Sequence, residues 1–139
     1  MNGEAIFWPM LVQAFLTFGI YILVSYRRVS SVRAGLARPA DFRVPSIEPA
    51  PSATAARSLI NQFELPVLFY GACLVLFVLG AAGQIAVFTA WLFALSRVIH
   101  ALVHVTSNRL RFRRPLFIIG FFSAFALWIL IATRLAGLS

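Results

Sequence analysis

The chain has 139 residues, 61% of them hydrophobic, with a mean hydropathy of +0.90, all of its basic charge on arginine and a formal net charge of +8. That apolar content excludes a soluble domain of this length and indicates a single integral membrane domain over residues 1–139. The arginines crowd into short segments between long apolar runs, which excludes a nucleic-acid groove reader and indicates loops on the cytoplasmic side of a bilayer.

The first predicted helix covers about 5–26, long enough to span, and its upstream Glu4 without an arginine does not suit a cleaved signal peptide. Gln13, Thr17, Tyr21 and Ser25 recur every four residues along it and are expected to face other helices. Residues 27–53 read as a basic loop carrying Arg27, Arg28, Arg33, Arg38 and Arg43 among several prolines. The second helix is expected over 54–79, with Ser52 or Thr54 as a cap. On it Arg57, Asn61 and Glu64 are spaced i, i+4, i+7, so they share one stripe at about 100° per residue. An ionised carboxylate there needs cationic company.

The run GAAG at 80–83 predicts a tight turn, making the second and third helices an antiparallel hairpin. Helix three, over 84–107, carries Arg97, His100 and His104 on one face at i, i+3, i+7, beside the small residues Ala86, Ala90, Ala94 and Ala101. A Glu64–Arg97 ion pair is the geometric expectation. Cys73 is the single cysteine, permits no intrachain disulfide and suits apolar packing. Residues 108–114 form a second basic loop, and Pro115 is expected to open a fourth helix over 115–136. Four spans with both basic loops on one side put the two termini on the other.

Gathered at one end of the bundle, these side chains make a cationic mouth with one carboxylate. It suits a ligand carrying several carboxylates and one ammonium, since arginine forks bind carboxylates bidentately. Two histidines four apart could hold a metal, but no further carboxylate or HExxH pattern completes a site, and no metal is expected. Proton or ion transport has little support, because the far half of the bundle lacks ionisable residues to continue a path.

At these residues the chain resembles the membrane-associated proteins in eicosanoid and glutathione metabolism, the MAPEG family. The likeness lies in four membrane helices, a long basic first loop, R-xxx-N-xx-E at Arg57, Asn61 and Glu64, and R-xx-[HY]-xxx-[YH] at Arg97, His100 and His104. It implies a homotrimeric four-helix bundle in contact with membrane lipids, with glutathione as co-substrate between subunits near the cytoplasmic face and a small lipophilic electrophile as second substrate. Arg57, Asn61, Glu64, Arg97, His100 and His104 would hold glutathione. An arginine after helix three would stabilise its thiolate; spacing from His104 nominates Arg111, with Arg109, Arg113 and Arg114 close by. Leu65, His100 and His104 stand where leukotriene C synthase has tyrosines, which points to a bacterial-type member, in a bacterial inner membrane. The expected activity is a glutathione transferase or peroxidase; the alternative on the same fold is a non-catalytic lipid-binding or scaffold protein.

Overall fold

The computed structural model describes residues 3–138. A short 3-10 turn at Gly3–Ile6 leads into α1 (Phe7–Arg33), and a 3-10 segment at Pro39–Arg43 precedes α2 (Ala50–Asn61), α3 (Leu65–Val78), α4 (Gln84–Val105) and α5 (Leu110–Leu135). Four stretches are long and apolar enough to cross a membrane: Gly3–Arg33, Ala50–Val78, Gln84–Val105 and Leu110–Leu135. The protein is thus an all-α, four-span membrane bundle.

The larger departures from the expected helix boundaries have local causes. α1 runs past 26 to Arg33 because nothing in RRVSSVR breaks a helix and arginine is a good helix former. It stops at Gly35, whose φ of 73° closes the end. There Gly35 N–H donates to Val32 O at 3.0 Å and Leu36 N–H to Ser31 O at 3.0 Å, a Schellman pair. The basic loop therefore shrinks from 27–53 to 34–49.

α2 begins at Ala50, ahead of the expected cap, because Pro51 fits a first helical turn whose amides lack partners anyway. Ser52 Oγ and Thr54 Oγ1 then donate back to the carbonyls of Pro49 and Pro51, both at 3.2 Å. The predicted single helix 54–79 is divided at Gln62–Glu64. Pro66 explains the break: it has no N–H for the Gln62 carbonyl, and its ring collides with that carbonyl one turn upstream.

The α3–α4 turn is tight as expected, with Gly80 at φ 63° and Ala81 N–H donating to Leu76 O at 2.8 Å. α5 starts at Leu110 and not at Pro115, which lies inside the helix. Asn108 takes the left-handed conformation that reverses the chain (φ 52°), a role asparagine tolerates. Arg111, Arg113 and Arg114 then become helical residues.

α4 is the most enclosed span and lies against α1, α2, α3 and α5. Its inward face carries small residues, so neighbours come close, and contact of this kind is what holds membrane helices together where hydrocarbon replaces water. Gly120 of α5 marks the closest approach: a Cβ there would meet Ser96 Oγ at 3.1 Å and Arg97 Cδ at 3.4 Å. Phe69 of α3 stacks on Phe93 of α4 with centroids 4.2 Å apart, and Cys73 is buried in the same cluster. On α1 only Gln13 of the predicted polar stripe is fully buried, while Tyr21 and Ser25 are exposed. Steps of four residues advance about 40° each, which carries the stripe off the packed face.

Candidate functional site

Arg97, His100 and His104 share the inward face of α4 as expected, and all three are buried. The α4 backbone is regular there, so spacing alone determined their direction. Arg97 is only 1% exposed. Its NH2 donates to the Asn61 carbonyl at 3.0 Å, at the C-terminal end of α2, while its Nε has no partner. The expected Glu64–Arg97 ion pair is not formed. Glu64 lies past the end of α2, in the break, and is exposed on the protomer. It acts on Arg97 through space only.

Asn61 is the hinge of the site. Its Nδ2 faces His104 Nδ1 at 3.4 Å, an arrangement in which the amide donates and the proton of a neutral His104 sits on Nε2. The His100 ring lies edge-on to His104 at 6.0 Å between centroids and 6.2 Å from Phe117 of α5. The break beside Asn61 is held from α1, where Gln13 Nε2 donates to Gln62 Oε1 at 2.7 Å and Gln62 Nε2 donates to Ser58 O at 3.1 Å.

A pocket of about 370 Å³ opens in front of this group, walled by Asn61, His100, Leu110, Arg113, Arg114, Phe117 and Ile118. The α5 members fall at i, i+3, i+4, i+7, i+8, one helical face. Arg113 NH1 donates to Asn108 Oδ1 at 2.7 Å, while its Nε is buried without a partner. Arg111 is off this face and exposed, its guanidinium 5.8 Å above the Phe112 ring. Arg109 and Arg57 are also exposed and do not line the pocket. Of the expected ligand-holding residues, the protomer brings together Asn61, Arg97, His100 and His104, and leaves Arg57 and Glu64 on its surface.

Arg113 and Arg114 stood beside the nominated Arg111 in the sequence, but reading 108–114 as a loop hid which of these arginines share a face. Taken as the first turn of a helix, the same residues show the Leu110, Arg113, Arg114, Phe117 stripe directly. Two buried guanidinium Nε donors without acceptors, one on the pocket wall and one behind it, fit an anionic ligand bearing carboxylates. Among the described residues no cluster of three or more His, Cys, Asp or Glu side chains could hold a metal. Further along α5 a second, apolar pocket of about 410 Å³ lies between α3 and α5, lined by Leu65, Leu68, Phe121, Ala124, Phe125 and Trp128.

Fold and site together define a multi-pass membrane protein with an arginine-walled pocket at one end of its bundle. The MAPEG family model matches residues 6–133, and the chain belongs to that family. Membership supports a role in glutathione-related transfer or eicosanoid metabolism at the level of the family. No curated protein and no solved structure matches the chain.

Proposed function

We propose that the protein is a glutathione-dependent transferase or peroxidase acting on lipophilic electrophiles. The observation that carries this reading is Arg113, which lines a pocket shared with Asn61 and His100 and whose buried Nε has no protein partner. The pocket's volume lies within the roughly 300–1,000 Å³ of small-molecule sites.

In this reading Arg97, Asn61, His100 and His104 hold the carboxylates and backbone of glutathione. Arg113 takes the thiolate role for which spacing nominated Arg111, since Arg111 is spent on an exposed face. A free cysteine thiol has a pKa of about 8.5 and is mostly protonated at neutral pH. Lowering that value by about two units takes roughly 2.7 kcal/mol. One guanidinium a few ångströms away, shielded from water, is enough to supply it. The apolar pocket between α3 and α5 would take the hydrocarbon part of the second substrate, reached from the bilayer.

Arg57 and Glu64 enter through assembly. A carboxylate left facing lipid on a membrane span is costly, so the exposed Glu64 favours further copies of the chain packed over that face. A homotrimer with Glu64 and Arg57 completing the site between copies is the proposed arrangement, with Glu64 holding the ammonium group.

The test is turnover of glutathione with chlorodinitrobenzene and with a long-chain alkyl hydroperoxide in proteoliposomes. Activity lost in Arg113→Ala and kept in Arg111→Ala supports the proposal. Activity lost only in Arg111→Ala returns the role to that residue, and no activity toward either acceptor leaves the lipid-binding alternative, which the apolar pocket alone would serve.

A further inference from the structure

The connection between α1 and α2 is not absorbed by that function. The stretch Gly3–Arg33 has 31 residues, whereas about 20 suffice to cross the hydrocarbon. Because Arg27, Arg28 and Arg33 all fall at its C-terminal end, the last turns are the part that rises into the headgroup layer, and residues 34–49, joining two spans, lie along the bilayer surface.

This connection is folded. Arg28 holds Glu48 through Nε at 2.8 Å and NH2 at 3.2 Å, and its guanidinium lies 5.4 Å over the Phe42 ring. Asp41 accepts from the Arg38 backbone N–H at 2.8 Å. Between the end of α1 and the Pro39–Arg43 segment lies a cavity of about 410 Å³, lined by Arg28, Val29, Val32, Arg33, Pro39 and Phe42. Its walls are apolar apart from the arginines. Both acids of the connection are already engaged, leaving Arg33 and Arg43 without an acidic partner among the described residues.

The outer surface of the same connection exposes Leu36 (68%), Ile47 (58%) and Val44 (46%). Large apolar side chains beside unpaired arginines, at headgroup depth, are how a segment seats itself on lipid.

We infer that the cavity between the end of α1 and the Pro39–Arg43 segment binds an anionic phospholipid, its phosphate on Arg33 and an acyl chain against Val29, Val32 and Phe42. A free phosphate does not fit this site, because most of the wall offers nothing polar to an ion. The inference is independent of the glutathione pocket.

The test is native mass spectrometry of the detergent-purified protein, equilibrated with phosphatidylglycerol and phosphatidylcholine of identical acyl chains. Two surface arginines predict a preference of roughly tenfold or more for the anionic lipid. The Arg33→Gln/Arg43→Gln double variant removes that preference, and Val32→Phe, which fills the cavity, lowers retention of both lipids. The double arginine variant leaves the unfolding temperature in lipid-free detergent unchanged, since neither arginine has an acidic partner to lose. Equal retention of the two lipids, unchanged retention in both variants, or equal competition by glycerol 3-phosphate overturns the inference.

Discussion

Replacing Arg97 by methionine separates a ligand-binding arginine from a structural one. The side chain is 1% exposed, makes one hydrogen bond to the Asn61 carbonyl at 3.0 Å and leaves Nε unpaired. A hydrogen bond to a charged group contributes about 1.5–3 kcal/mol. Holding a guanidinium out of water costs several kcal/mol, and Glu64, which acts through space without forming an ion pair, offsets only part of it. The two terms nearly cancel, with the balance toward cost. Arg97→Met, close in length and apolar, is therefore expected to leave thermal stability in detergent unchanged or to raise it by about 1–2 kcal/mol. Glutathione affinity by calorimetry should fall by roughly ten- to a hundredfold, the loss of about 1.4–2.8 kcal/mol. A structural ion pair would behave oppositely, since stranding one partner costs about 3–5 kcal/mol. A variant destabilised by that amount, with the affinity of the folded fraction intact, refutes the reasoning.

Three further outcomes follow from the geometry. Arg28, through its hydrogen bonds first and its charge besides, holds the Glu48 carboxyl below its ordinary value of 4.5 against the opposing effect of burial. A carboxyl lowered in the folded state stabilises fully above that ordinary value and loses its contribution as pH falls through the folded one. Acid unfolding followed by circular dichroism should show this loss, and Glu48→Gln should remove it at a cost of about 0.5–1 kcal/mol near neutrality. At the α4–α5 contact, Gly120→Val should cost about 1–3 kcal/mol in thermal unfolding, because Ser96 and Arg97 already stand against the glycine. Trp128→Phe removes the bond from indole Nε1–H to Leu68 O at 3.1 Å and should cost about 1 kcal/mol, read by chemical denaturation.

Helix content was legible wherever hydropathy and an unbroken 3.6-residue period agreed. α4 is the clearest case: nothing interrupts Gln84–Val105, and Arg97, His100 and His104 emerge on the face their spacing dictates. Proline effects were harder to read because they act at a distance. Pro66 breaks the second span at Gln62–Glu64, which puts Glu64 outside the helix on which its stripe with Arg57 and Asn61 depended. Pro115, read as a first helical residue, lies inside α5, and that shift hid the helical phase of the preceding arginines. A dense run of like charges resembles a loop by composition, yet arginine itself favours helix. The wall built by Arg113 and Arg114 was thus written in the sequence but needed the start of α5 to be read. The displacement of Glu64 follows from a break that spacing does not encode, whereas Arg57 stays on α2 with Asn61 and is exposed on the protomer.

The most direct measurement is the ultraviolet difference spectrum of glutathione titrated into the purified protein at neutral pH, run beside Arg113→Ala and Arg111→Ala. A saturable thiolate band in the native protein and in Arg111→Ala, absent from Arg113→Ala while glutathione still binds by calorimetry, is the predicted result. Glutathione bound without a thiolate band in the native protein, or a band that persists undiminished in Arg113→Ala, contradicts it.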